Sequence, residues 1–213
     1  MKRILPAAAG ALLLSVVSGI APAATLFSDN FNTETPGLNA TPSQWTVSNG
    51  TVDIIGSGPN GTANDILPGT GYYIDLDGST NDAGRMTSAS PLSLTAGVAH
   101  ILSFSLAGSQ RGGVDTANFG IDFNSDGILD VSGSATLPSA QGFTAFNLPF
   151  TPGVSTINGR IVFEGVGNDN VGLLLDNVLL TSVTPSAVPE PGSLALLGVA
   201  LAGFGITRRR KQA

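Results

Sequence analysis

The sequence predicts an all-β body, a sandwich or barrel of many short strands. Two observations carry that expectation. Apolar residues alternate with a period of two over several short segments, and no window of the body sustains a 3.6-residue period. Turn-forming pairs also punctuate the chain at Asn49-Gly50, Asn60-Gly61, Asp77-Gly78 and Asp126-Gly127. Strands separated by such signals at intervals of about 8–12 residues are the pattern of a sandwich or barrel. Residues 44–48 and 51–55 flank Asn49-Gly50, which predicts a two-residue hairpin. Residues 72–76 read as a short strand. Over residues 98–106, Leu102, Phe104 and Leu106 fall on one face, and Ile101, Ser103 and Ser105 on the other. Residues 116–123, 143–150, 157–164 and 171–182 complete the set, with no internal repeat.

The two ends read as separate signals. Lys2 and Arg3 precede an uncharged apolar stretch, 4–20, and Ala21-Pro22-Ala23 supplies the small residues of a signal-peptidase site. This predicts a signal helix, with cleavage after Ala23 or Ala24. At the other end, Val188-Pro189-Glu190-Pro191 leads into residues 192–206, which carry no charge, and then Arg208, Arg209, Arg210 and Lys211. A spanning helix needs about 17–25 apolar residues, so this single apolar helix is short. Its basic end stays cytoplasmic by the positive-inside bias. The body is thus expected outside, on a membrane-anchored, stop-transfer tail.

This ordered tail resembles the PEP-CTERM sorting signal. The resemblance implies that an exosortase, a multi-pass membrane cysteine protease, recognises the tail. Cleavage near Pro189-Glu190-Pro191 then makes the membrane anchorage transient. It further implies export across the inner membrane of a Gram-negative bacterium that makes extracellular polysaccharide. The tail is an address as well as an anchor. Four segments follow: a signal peptide over 1–24, the β body over 25–183, a Pro/Ser linker over 184–188, and the sorting signal with its transmembrane helix over 189–213.

About 165 residues lie between the signals, enough for one domain. Charge is sharply partitioned. The body holds three basic residues, Arg85, Arg111 and Arg160, against fourteen acidic ones, a net charge of −11. Such a surface repels nucleic acid and anionic membranes and favours metal cations or neutral glycans. The chain has no cysteine, which excludes disulfides, thiol nucleophiles and zinc–thiolate sites. His100 is the single histidine.

The body also carries a set of segments in order: Asp29-Asn30-Phe31, Trp45-Thr46-Val47, Val52 to Gly56, Tyr73 to Ser79, Leu102 to Gly108, and Leu175-Asp176-Asn177-Val178. Together they resemble a galactose-binding-like jelly roll, the β-sandwich of many carbohydrate-binding modules. Relatives of this type place a structural calcium ion between an Asp of the final strand and an acidic residue near the N-terminus. The resemblance therefore implies an Asp29–Asp176 site, although Asp176 could instead bond backbone at the sheet end.

A second calcium pattern stands in the sequence itself. In the stretch from Asp122 to Asp130, Asp122, Asn124, Asp126 and Asp130 supply oxygens at alternate positions around Gly127. This is the spacing of the first half of an EF-hand loop, but Gly133 stands where the bidentate Glu belongs, and helices do not flank it. A polar β-turn with solvated acids is the competing expectation. Trp45, Tyr72 and Tyr73 are candidates for a sugar-stacking platform, with core packing as the alternative. Tyr72 and Tyr73 must point to opposite sheet faces.

The run Gly56-Ser57-Gly58-Pro59-Asn60-Gly61 mimics a dinucleotide fingerprint but precedes no helix and contains Pro59, so it reads as a loop. Arg111 is expected to pair with a carboxylate, and His100 to be structural. No catalytic motif stands out. The expected function is non-catalytic: binding or structure near extracellular polysaccharide. The alternatives are a module with specific glycan affinity and, last, a glycan-active enzyme.

Overall fold

The computed structural model describes residues 23–183. The signal helix, the linker and the apolar sorting helix lie outside the described residues. Among the described residues there is no helix long and apolar enough to cross a membrane. The body has its own core, and all of its strands pair within it.

Two antiparallel sheets make up the body. One contains β11 (Thr144–Phe150), β8 (Ala99–Ala107), β13 (Leu174–Val183), β5 (Tyr72–Asp75), β3 (Asp53–Gly58) and β4 (Gly61–Ala63), in that order. In the same sheet β1 (Ala24–Asp29) pairs with β13. The other sheet orders β10 (Val131–Pro138), β9 (Val114–Asp122), β12 (Thr156–Val166), β6 (Arg85–Ser88) and β2 (Trp45–Ser48). Here β7 (Leu92–Leu94) pairs with β12. Sequence neighbours often lie in opposite sheets, which agrees with the expected sandwich.

The inner faces meet in one apolar core. β8 contributes Leu102, Phe104 and Leu106, the face that alternation assigned to the interior. Phe119 and Ile121 of β9, Ile161 and Phe163 of β12, and Leu175 and Leu180 of β13 pack against them. Phe104 meets Phe119 and Phe163 edge to face, with ring centroids 4.6 and 4.9 Å apart, a geometry that aligns ring edges with ring faces. A smaller cluster forms on the outer side of the first sheet. There Ile55, Tyr73, Ala107 and Leu174 are covered by Ile66, Leu67 and Phe143.

Two expectations change. Residues 44–48 and 51–55 do not form a hairpin: β2 pairs with β6, whereas β3 pairs with β4 and β5 in the opposite sheet. Asn49-Gly50 is the corner between sheets. Asn49 takes a φ of 63°, and a Cβ on Gly50 would collide with the Asp82 carbonyl oxygen. The pair supplies the conformations of a hairpin turn, but close packing on the loop after β5 decides its use. Second, the predicted set of strands left out β10, as it did β1, β4, β6 and β7. β10 is an edge strand, and Gly133 lies opposite Phe119, whose ring would block any side chain there.

Candidate functional site

The outward face of the second sheet carries a polar groove, and strand register explains its shape. Thr46, Thr87 and Val162 pair in turn across β2, β6 and β12. These are short side chains, so the row makes a floor. One wall is the cross-strand pair Arg85 and Glu164, and the other is the pair Arg160 and Asp122. The loop that follows β9 closes one end through Ser125 and Gly127. The space enclosed is about 270 Å³.

Both arginines in the groove are tied to their surroundings. Arg85 donates to Glu164 at 3.2 Å and to the Gly127 carbonyl at 2.7 Å. Arg160 donates to the Ser88 and Ala89 carbonyls and to Ser125 Oγ. Sequence reasoning had no signal for this groove, because Arg85 and Arg160 are far apart in the chain and meet only through strand order.

The Asp122–Asp130 loop joins β9 to β10 as a compact polar turn. Asp122 is buried and accepts N–H bonds from Asn124, Ser125 and Gly127 at 3.1, 2.7 and 2.8 Å. Asp126 accepts from Ile128 N–H and from the Asn124 amide, and Asp130 accepts from Phe123 N–H. Thus Asp122, Asp126 and Asp130 all have protein donors. Among the described residues, no group of three or more acidic or histidine side chains already stands together as an ion site.

Asp29 and Asp176 do come together. β1 lies along β13, with Asp29 opposite Val178. A bulge after Asp176, with Asn177 at a φ of 53°, breaks the register of β13 against β8. Bulges re-aim side chains in this way. Asp29 accepts bonds from Phe31 N–H and Trp45 Nε1 at 2.9 and 2.8 Å. Asp176 accepts from the Asn177 backbone and side chain. Burial pushes the Asp176 carboxyl up to about 7; the Asn177 N–H opposes this, and the Asp29 charge adds to it. Burial likewise raises Asp29.

The aromatic platform is corrected. Trp45, Tyr72 and Tyr73 are all buried, so no ring face is open to a sugar. Trp45 packs between Phe27 and Phe163. The tyrosines do point to opposite faces, but both faces are covered. Tyr72 enters the main core, and its hydroxyl accepts from Asn60 N–H and donates to the Gly61 carbonyl. Tyr73 lies under residues 65–67, where its hydroxyl accepts the Ile66 and Leu67 N–H groups, both at 2.7 Å.

Arg111 pairs with buried Asp75, as expected of one of three cations among many acids. His100 is buried and stacks on Phe150, with centroids 5.2 Å apart.

Comparison with known proteins bears on both ends of this description. Residues 187–211 match the PEP-CTERM protein-sorting motif, which covers Val188 through Arg210 of the expected tail and marks an exported protein sorted to the cell surface. No curated protein matches the chain in sequence. Among solved structures, the body is similar to the CBM22-1 xylan-binding domain of Paenibacillus barcinonensis Xyn10C. That match has 16% identity, covers 76% of this chain and 97% of that domain, and reaches a TM-score of 0.52. It is also similar to the K3 cleaved adhesin domain of Lys-gingipain from Porphyromonas gingivalis, at 13% identity, 75% and 99% coverage, and a TM-score of 0.50. At these identities the likeness shows the fold alone. The chain therefore joins a PEP-CTERM sorting motif to a β-sandwich body whose fold is similar to that of these domains.

Proposed function

We propose that the body is a non-catalytic surface module that works by binding within the extracellular polysaccharide layer, where exosortase processing of the tail leaves it. The observation that carries this reading is the pairing of the sorting motif at 187–211 with a carbohydrate-module sandwich. The groove on the second sheet supports it. Thr46, Thr87, Arg85, Arg160 and Ser125 offer hydroxyl and guanidinium groups to a hydroxyl-rich chain. Both acids of the groove already have donors, Glu164 from Arg85 and Asp122 from three amides. That speaks for binding over hydrolysis, since a glycosidase needs a pair of carboxyl groups free to act on substrate. Specific glycan affinity is the finer reading, and the groove rather than an aromatic strip is its proposed seat. A structural calcium ion between Asp29 and Asp176 fits the mutual repulsion of those carboxylates.

Affinity electrophoresis of residues 24–183 through gels containing polysaccharide from the producing cell tests this function. Retarded migration is expected, abolished by Thr87→Phe, which fills the groove floor without touching the core. Unretarded migration of the wild-type body would contradict a binding role. Retardation unchanged in Thr87→Phe would move the contact away from the groove.

A further inference from the structure

Among the described residues, one buried carboxylate has no hydrogen bond to either oxygen. This is Asp77, which follows β5 and is 1% exposed. A buried charge without a partner is costly, and native structures pair it with a donor, a proton or a metal ion. The Asp169 backbone N–H lies near Asp77 without completing a bond. The surroundings add negative charge. A Cβ on Gly167 would stand 2.5 Å from Asp77 Oδ2 and 3.6 Å from Asp169 Oδ1, so both oxygens flank one alpha carbon. Asp115, at the start of β9, is half-buried; Ser109 faces its carboxylate, and its Oδ2 has no partner. Burial raises the carboxyls of both Asp77 and Asp115, and the charge of Asp169 raises them further.

The nearest cation does not resolve this excess. Arg111 donates to Asp75 Oδ2, and Asp75 Oδ1 accepts the N–H groups of Asp77 and Gly172 at 3.1 and 3.2 Å. Arg85 and Arg160 are engaged in the groove. Asp77 in the loop after β5 is buried, Asp115 at the start of β9 is half-buried, and Asp169 in the loop after β12 is exposed; the three lie near one another at one end of the sandwich without standing together as a ready-made ion site.

We propose that Asp77, Asp115 and Asp169 bind a hard divalent cation of the calcium type, separate from Asp29–Asp176 and from the Asp122–Asp130 turn. Only oxygen donors are present, and irregular loops can add carbonyls and water to the six to eight oxygens that calcium takes. At 1% exposure Asp77 is out of reach of a sugar ring. Asp169, the exposed member, moves inward to complete the set. The contrast with the Asp122–Asp130 turn is instructive: there the acids already have N–H donors, and here the most buried one has none.

The test is a calcium titration of isotope-labelled, chelator-stripped residues 24–183 followed by backbone amide resonances, up to about 10 mM, beyond the ~10⁻³ M range of weak extracellular sites. The amides of Gly167, Asp169 and Gly172 are expected to shift with calcium. Asp77→Asn, which keeps the side-chain shape, should retain the native spectrum and raise the midpoint of those shifts by about tenfold or more. Asp176→Asn should leave them in place. Unmoved 167–172 amides in the folded wild type, or an unchanged midpoint in Asp77→Asn, would overturn the proposal. Shifts that vanish in Asp176→Asn but persist in Asp77→Asn would overturn it in favour of the Asp29 site.

Discussion

Single residues in this body do work that their type alone does not announce. Trp45 is the clearest case. Its ring is part of the core, and its Nε1–H serves buried Asp29 at 2.8 Å. Trp45→Ala should therefore act on stability before it acts on any ligand. The loss of a buried aromatic costs about 3–5 kcal/mol, and an orphaned carboxylate adds to it. Urea unfolding of the variant should show that drop in midpoint; a stable variant with weakened polysaccharide binding would return Trp45 to the surface. The sequence presented Trp45, Tyr72 and Tyr73 as rings that could face either way. Alternation correctly sent the two tyrosines to opposite faces. It could not foresee that residues 65–67 fold over Tyr73, because that cover comes from a loop with no periodicity. Asp77 illustrates the same limit: a count of charges says nothing about which carboxylate is enclosed.

Elements were legible where a strand is buried on one face, and obscure where it lies at an edge or turns a corner. β8 shows strict alternation because one face meets the core and the other is half-covered by its own sheet's surroundings. β10 carries Gly133 and three polar side chains over Val131–Pro138, and its Gly is required by the Phe119 ring across the ladder. A strand that donates space instead of apolar side chains leaves no pattern. Asn49-Gly50 is a local signal with a non-local use. The dipeptide permits a sharp reversal, but whether the chain returns in the same sheet is decided by packing against residues 82–83. Gly50→Ala tests this. Its Cβ meets three backbone atoms of that segment, so we expect a loss of about 1–3 kcal/mol typical of overpacking, read as a lower thermal midpoint. An ordinary hairpin turn, open to solvent, would tolerate the change.

At the scale of the whole molecule, the chain separates address from function. The tail motif was legible because its proline-bracketed start, apolar stretch and basic end are read in sequence order by a receptor. The groove and the carboxylate cluster were not, since strand order within the second sheet assembles the groove, and the cluster combines Asp77 after β5 with Asp115 of β9 and Asp169 after β12. Export and surface sorting are therefore the centre of this account, with the sandwich as their cargo. Intact mass measurement of the protein isolated from its native cell tests that centre most directly. The predicted species begins at Ala24 or Thr25 and ends near Pro189-Glu190-Pro191, without the apolar stretch and basic cluster. A mature protein that still carries Arg208 to Lys211 would contradict exosortase processing and, with it, the proposed place of the body in the polysaccharide layer.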